Sequence, residues 1–257
     1  MKLALVLAGL LLLASAAESQ AAGVGLRWDA CYGEGTGTFI KQFACDTNAG
    51  SERLVGSFVS AAGLSNVIAL EVAVDVSTGP PPFAEGGPRP APPPLPAWWT
   101  FRNSGSCRQS ALSVDFSPDP ANQICTAWEM GQLLGTIANY RLDFPGPGTA
   151  RVLMGVALGL GAHGSVSPDT EYAAFTLIVA HANTVGTTAC SGCTTPLTIT
   201  VRALQMVTPI VFGEPSRDVT LSGPFNGTDS DFAFWQGVPR IVPTRSSTWG
   251  AVKALYR

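Results

Sequence analysis

The clearest hydrophobic pattern in the chain covers residues 67–76, where apolar and milder positions alternate one by one. The apolar set is Ile68, Leu70, Val72, Val74 and Val76, and the opposite set is Ala69, Glu71, Ala73 and Asp75. Successive side chains of a β-strand point to opposite faces of its sheet. The pattern therefore predicts a strand with one buried face and one partly wet face.

Similar runs, separated by turns rich in glycine and proline, continue through the sequence. They predict further strands over residues 38–44, 53–60, 97–102, 111–116, 136–144, 150–158, 171–182, 197–207 and 218–222. Many strands with Gly/Pro turns and little helix are typical of an all-β fold. We expect a β-sandwich, either jelly-roll-like or Ig-like, that forms a single domain over residues 23–257.

Two segments predict helices, and one excludes regular structure. Residues 122–134 carry an apolar stripe at helical spacing, and residues 247–257 predict a short C-terminal helix with Trp249, Val252 and Leu255 on one face. Half of residues 79–96 are proline. Because proline lacks the backbone N–H, we expect a stiff surface loop inserted between two strands.

The N-terminus predicts export. Residues 1–22 combine a basic start, an apolar run over residues 3–13 and small residues beyond it, which is the pattern of a secretory signal peptide. The run is shorter than the roughly 20 residues that a membrane span needs. We therefore expect a secreted or extracytoplasmic protein, periplasmic or extracellular, without a membrane span in the mature chain.

Composition excludes one class of partner. Charged residues make up 13% of the chain and the formal net charge is −3, without a basic patch. The sequence therefore lacks the basic surface patch that is typical of nucleic-acid-binding proteins. The surface must be built largely from Ser, Thr, Asn, Gln and Gly, which is common on extracellular coat and adhesion modules.

The cysteine count is even, as in a disulfide-linked exported protein. The six cysteines are Cys31, Cys45, Cys107, Cys125, Cys190 and Cys193. Six cysteines allow 15 pairings, and the spacing favours three local bridges, Cys31–Cys45, Cys107–Cys125 and Cys190–Cys193. The last pair also fits the spacing of a redox dithiol, but it lies between strand-like runs, which favours a bridged turn.

Two oxygen-rich stretches are weak candidates for calcium, the one cofactor that the sequence suggests. Asp46, Asn48, Gly50 and Glu52 stand at alternate positions, and three of them carry side-chain oxygens. Asp229 and Asp231 form a second group. The acid expected further along an EF-hand loop is missing. Asp and Asn also start turns without any ion.

No catalytic residue is predicted. The chain holds two histidines, His163 and His181, and no Gly-x-Ser-x-Gly elbow. Trp98 and Trp99 alternate within the strand predicted at residues 97–102, so we expect one to be buried and the other to offer a stacking platform for a sugar. A carboxylate pair beside that platform would suit glycoside hydrolysis.

Several short motifs resemble a group of exported bacterial proteins to which no activity is assigned. The shared motifs are Arg-Trp-Asp-x-Cys (27–31), Phe-Ala-Cys-Asp-Thr-Asn (43–48), Pro-Ala-Trp-Trp (96–99), Cys-Ser-Gly-Cys (190–193), Asn-Gly-Thr-Asp-Ser-Asp (226–231) and the final ten residues. Because these motifs span the mature chain, the resemblance implies one integral domain. It implies no ligand and no catalytic residue.

Together these observations favour a secreted structural, surface or binding module without catalytic activity, with a glycan or protein partner at the cell surface. The alternative is a carbohydrate-binding or carbohydrate-active sandwich that uses an exposed Trp and a carboxylate pair. A third reading is a redox protein that uses Cys190 and Cys193.

Overall fold

The chain folds almost entirely into β-structure. The computed structural model describes residues 22–80, 92–117, 125–129, 132–209 and 218–238, and none of these forms an α-helix. The strands are β1 (Gly23–Trp28), β2 (Ile40–Lys41), β3 (Ser51–Val59), β4 (Leu64–Val67), β5 (Ala69–Ser77), β6 (Leu112–Asp115), β7 (Leu133–Leu142), β8 (Thr149–Leu158), β9 (Gly164–Val166), β10 (Glu171–Ala180), β11 (Leu197–Val207), β12 (Val219–Leu221) and β13 (Phe232–Trp235). Within these ranges, no helix is long and apolar enough to cross a membrane.

The strands form two main sheets. The smaller sheet has the order β1-β3-β10-β6, and the larger one has the order β2-β13-β11-β5-β8-β7, with β12 also paired to β11. Strands β4 and β9 form a separate two-stranded ribbon. The pairings in the larger sheet are antiparallel except for β13 with β2.

One hydrophobic core lies between the two main sheets. It contains Leu70, Val72, Val74 and Val76 from β5, and it also contains side chains of the smaller sheet such as Phe58. The alternation read from residues 67–76 is therefore confirmed. Full burial of one such side chain contributes about 1.5–3 kcal/mol. The expected all-β fold is confirmed as two sheets that share one core.

Most predicted strands are confirmed, but two local predictions are wrong. Residues 97–102 do not form a strand, because Ala97–Trp99 is a 3₁₀ turn. The helix expected over residues 122–134 is also wrong where the structure describes it, since residues 125–129 are not helical and β7 begins at Leu133. The sequence patterns missed β1, β4, β9 and β13.

Three further predictions fall on other parts of the chain. The C-terminal helix at residues 247–257 and residues 1–21 of the signal peptide lie outside the described residues, as do residues 81–91 of the proline-rich loop. Residues 92–96 of that loop are described and carry no regular secondary structure.

All six cysteines form disulfides, but not the local ones expected. The bonds are Cys31–Cys125, Cys45–Cys193 and Cys107–Cys190, with sequence separations of 94, 148 and 83 residues. The local pairing was wrong because the fold, and not the spacing, determines which sulfurs meet. Cys190 and Cys193 each bind a distant partner, so they do not form the redox dithiol that their spacing allowed.

We predict that replacing Cys45 and Cys193 together by serine lowers the free energy of unfolding by about 2–5 kcal/mol. A bond across 148 residues restricts the unfolded chain strongly. Urea unfolding of the double variant beside the wild type measures the loss. Non-reducing peptide mapping of the wild type is the accompanying check. A disulfide between Cys190 and Cys193 in the wild type would contradict the pairing.

Candidate functional site

The outer face of the larger sheet carries the side chains that alternate with the core. On β5 these side chains belong to Glu71, Ala73 and Asp75. Ala73 pairs with Ala203 on β11 and with Leu153 on β8. Two alanines, Ala73 and Ala203, therefore lie side by side at the centre of this outer face, next to Leu153.

A groove of about 400 Å³ crosses this face. It is lined by Glu71, Val72, Ala73, Ala138, Leu153, Met154, Gly155, Ala203, Gln205 and Thr220. Gly155 leaves additional room in it, since a Cβ added there would meet only the Leu70 carbonyl oxygen, at 3.5 Å. The small side chains allow a ligand to approach the sheet closely.

A buried carboxylate lies one row of side chains away from the groove. Asp75 on β5 is 2% exposed. Arg151 on β8 donates to both of its oxygens, from Nε to Oδ1 at 2.7 Å and from Nη2 to Oδ2 at 2.9 Å. Arg202 donates from Nε to Oδ2 at 2.8 Å. The hydrogen bond to Asp75 raises the pKa of Arg151, with burial acting in the opposite direction.

A third arginine extends this row. Arg141 on β7 stands directly opposite Arg151, and both guanidinium groups lie over the ring of Phe144, with the Cζ atoms 4.2 and 4.9 Å from its centroid. We call Arg141, Arg151 and Arg202 the arginine cluster. Together with Asp75, the arginine cluster has a formal charge of +2.

The opposite side of the groove is polar but not basic. Glu71 is exposed, and it pairs in register with Gln205 and Gly155. Thr220 on β12 pairs with Gln205. The groove thus has a carboxylate, an amide and a hydroxyl at one end, and the arginine cluster lies one row of side chains beyond its other end.

A second groove, of about 330 Å³, is formed around the loop after β8. Leu160 is fully exposed at this loop. The polar side chains of its lining are Asn66 and His163. It offers a ligand fewer directional contacts than the groove on the larger sheet.

Asp231 is the other notable carboxyl group. It is 3% exposed, and its Oδ1 accepts no hydrogen bond from any described residue. Burial raises its pKa to about 6, and the negative charge of Asp229 acts in the same direction. Arg202 and Arg27 oppose the shift. Such a pKa suits proton transfer, but neither groove is lined by Asp231.

The first predicted calcium group is used for protein contacts. Asn48 Oδ1 accepts the backbone N–H groups of Thr184 and Val185, at 2.7 and 3.0 Å. Glu52 binds Lys41 Nζ at 2.6 Å and His181 Nε2 at 3.0 Å. Asp46 is exposed.

The second group, around Asp229, is an ordered loop. Asn226 Oδ1 accepts the N–H groups of Thr228, Asp229 and Ser230, each at 3.0 Å. Asp229 Oδ1 accepts Asn226 Nδ2 at 2.7 Å and lies 3.8 Å from Arg27 Nη2. Contacts within the protein occupy the oxygens of Asn48, Glu52 and Asp229. Asp231 Oδ1 accepts no hydrogen bond from a described residue, and calcium binding stays a prediction.

Among the described residues, the one group of His, Cys, Asp and Glu side chains close enough together to hold a metal ion is Cys31, Cys125 and Glu171. The two cysteines are joined by a disulfide, so neither provides a thiolate. Glu171 accepts the backbone N–H groups of Tyr32 and Gly33, at 3.0 and 2.8 Å. This group therefore has a structural explanation.

The predicted tryptophan platform is wrong. Trp98 and Trp99 are 0% and 1% exposed. The 3₁₀ turn buries both indoles, and Trp98 stacks on Trp235 with ring centroids 5.1 Å apart. Arg108 covers Trp98 with its Cζ 3.4 Å from the ring centroid. Neither tryptophan can stack against a sugar.

Sequence reasoning missed the arginine cluster and Asp75. Their signal was present, because Asp75, Arg151 and Arg202 are charged residues within otherwise apolar strands. What was lacking was the pairing of β5 with both β8 and β11, which brings these residues together.

Comparisons with known proteins provide no relative. The chain matches no protein-family model, and neither a search of curated proteins nor one of solved structures finds a match. The geometry of the site is therefore the basis for a function.

We predict that Asp231→Asn stabilises the protein at pH 7–8 by about 1–3 kcal/mol. The folded-state pKa of about 6 lies above the ordinary value of 3.8. Between these values the folded protein binds more protons than the unfolded one, so the free energy of unfolding falls as pH rises. Asn carries no charge to desolvate, so its advantage should vanish near pH 4.

Urea unfolding at several pH values between 4 and 8 measures this effect. Asp46→Asn, which removes an exposed carboxylate, is the matched control for the loss of charge. Parallel pH profiles for the wild type and Asp231→Asn would contradict the assignment.

Proposed function

We propose that this protein is an extracytoplasmic, non-catalytic binding module that holds its ligand against the outer face of the larger sheet. The observation that carries the proposal is the groove across β5, β8 and β11, with Glu71 at one end and the arginine cluster one row of side chains beyond the other. The proposal includes the type of fold, which is a jelly-roll-like or Ig-like β-sandwich.

The disulfides support the extracytoplasmic part. Cytosolic thiols are kept reduced, whereas exported proteins retain disulfides. Three bonds use all six cysteines of this chain. This agrees with the signal peptide expected over residues 1–22.

The position of the reactive side chains favours binding over catalysis. His181 is buried, with Nδ1 2.6 Å from the Ala49 carbonyl oxygen and Nε2 3.0 Å from Glu52, and its ring stacks on Phe43. Asp231, the carboxyl group with the raised pKa, is not part of the groove lining. The groove itself offers groups that bind and orient a ligand.

The sheet face also favours one type of contact. The backbone groups of β5 and β8 are paired with strands on both sides, so a ligand on this face meets side chains only. Carboxylate, amide and hydroxyl groups line the rim, which suits a hydroxyl-rich ligand such as a carbohydrate. Calcium is not needed in this proposal, because the oxygens of Asn48 and Glu52 already accept protein donors.

We predict that Gly155→Val weakens ligand binding at least tenfold, because the new side chain would occupy the groove. Steric strain should be small, since its Cβ meets only ordinary contacts and valine suits a strand. Ala157→Val is the matched control, because Ala157 lies on the same face of β8, outside the groove lining.

Amide chemical shifts of the ¹⁵N-labelled protein, titrated with a panel of soluble oligosaccharides and peptides, measure binding and location together. The proposal expects perturbed amides on β5, β8 and β11. Perturbations confined to the smaller sheet, or turnover of a panel member, would contradict it.

A further inference from the structure

The arginine cluster has more positive charge than the protein neutralises. Arg151 and Arg202 share the carboxylate of Asp75, and Arg202 also interacts electrostatically with the buried Asp231. Arg141 stands beside Arg151 on the neighbouring strand, so three arginines face two carboxylates. Chains usually avoid like charges directly opposite each other in a sheet, because they repel. Here they occur on a protein whose formal net charge is −3.

The unused donors of the cluster face solvent. The side chain of Arg202 is 41% exposed, and only its Nε contacts Asp75. No described residue accepts a hydrogen bond from its terminal N–H groups, although Asp231 interacts with its charge. These groups and the exposed Arg141 can therefore donate to a further acceptor. A guanidinium fork matches the two oxygens of a carboxylate.

The distance from Glu71 to the arginine cluster indicates an extended ligand. Asp75 and Glu71 are four residues apart on β5, which corresponds to about 14 Å along a strand. A ligand that fills the groove and extends one row of side chains beyond it would place an anionic group at the arginine cluster. Its remaining part would lie over Ala73 and reach Gln205.

The surroundings favour a sugar over a peptide. Peptides that add to a sheet use the free backbone groups of an edge strand, but β5 and β8 are interior strands. Side-chain amide, hydroxyl and carboxylate groups around the groove pair well with hydroxyl groups. Resting on the proposed function, we propose that the arginine cluster binds the carboxylates of an acidic oligosaccharide seated in the groove.

The test is calorimetric titration with three probes. Trigalacturonate carries the carboxylates on a sugar chain, its methyl ester keeps the chain without the charge, and triglutamate keeps the charge without the sugar. We expect trigalacturonate to bind and the other two probes to bind at least tenfold more weakly. The methyl ester loses the charged hydrogen bonds to the arginines, and triglutamate loses the contacts of the sugar hydroxyl groups. Added salt should weaken the binding of trigalacturonate.

Two variants place this binding at the cluster. Arg202→Gln and Arg141→Gln should each weaken trigalacturonate about tenfold or more. Arg141 makes no bond to Asp75, so its replacement keeps the Arg151–Asp75 pair intact if Arg202→Gln fails to fold. Arg53→Gln removes an equal charge from the smaller sheet and should leave affinity unchanged.

The outcomes separate this inference from the general function. Equal binding of trigalacturonate and its ester, blocked by Gly155→Val, would overturn the carboxylate assignment while the groove remains a binding site. Equal binding of triglutamate would overturn the choice of a sugar. Absence of trigalacturonate binding to the folded wild type would also overturn the inference, and the panel titration would then decide the proposed function separately.

Discussion

Asp75 links the three central strands of the larger sheet through its arginines. Arg151 belongs to β8 and Arg202 to β11, while Asp75 belongs to β5 between them. A shift of one residue in the register of β5 would turn this carboxylate into the apolar core. Removing one partner of a buried ion pair is strongly destabilising, so these bonds oppose any other register. The groove exists only in that register.

The aromatic core and the disulfides stabilise the regions around this sheet. Cys45–Cys193 and Cys107–Cys190 join the loop at residues 190–193 to distant parts of the chain. Within the same region, Trp98 donates its backbone N–H to the Ser191 carbonyl oxygen at 2.9 Å. Packing and covalent links therefore act on the same segment. This explains why a motif with the spacing of a redox pair serves a structural role here.

How much the sequence could predict depended on the range of each interaction. The alternation over residues 67–76 is local, so β5 and its buried face were predictable. The pairing of cysteines and the neighbours of Asp75 depend on residues far away in the chain, and no local pattern contains them. Trp98 and Trp99 show a third case, since a strand would have exposed one indole, whereas the 3₁₀ turn buries both.

The arginine cluster departs from the usual pairing of side chains in a β-sheet. Arg141 and Arg151 are direct cross-strand neighbours with the same charge, an arrangement that destabilises a sheet. Stacking of both guanidinium groups over Phe144 offsets part of this repulsion, but it adds no negative charge. An anion bound at the arginine cluster would provide negative charge. A local conflict of this kind is expected where a surface is shaped for a ligand and not for stability alone.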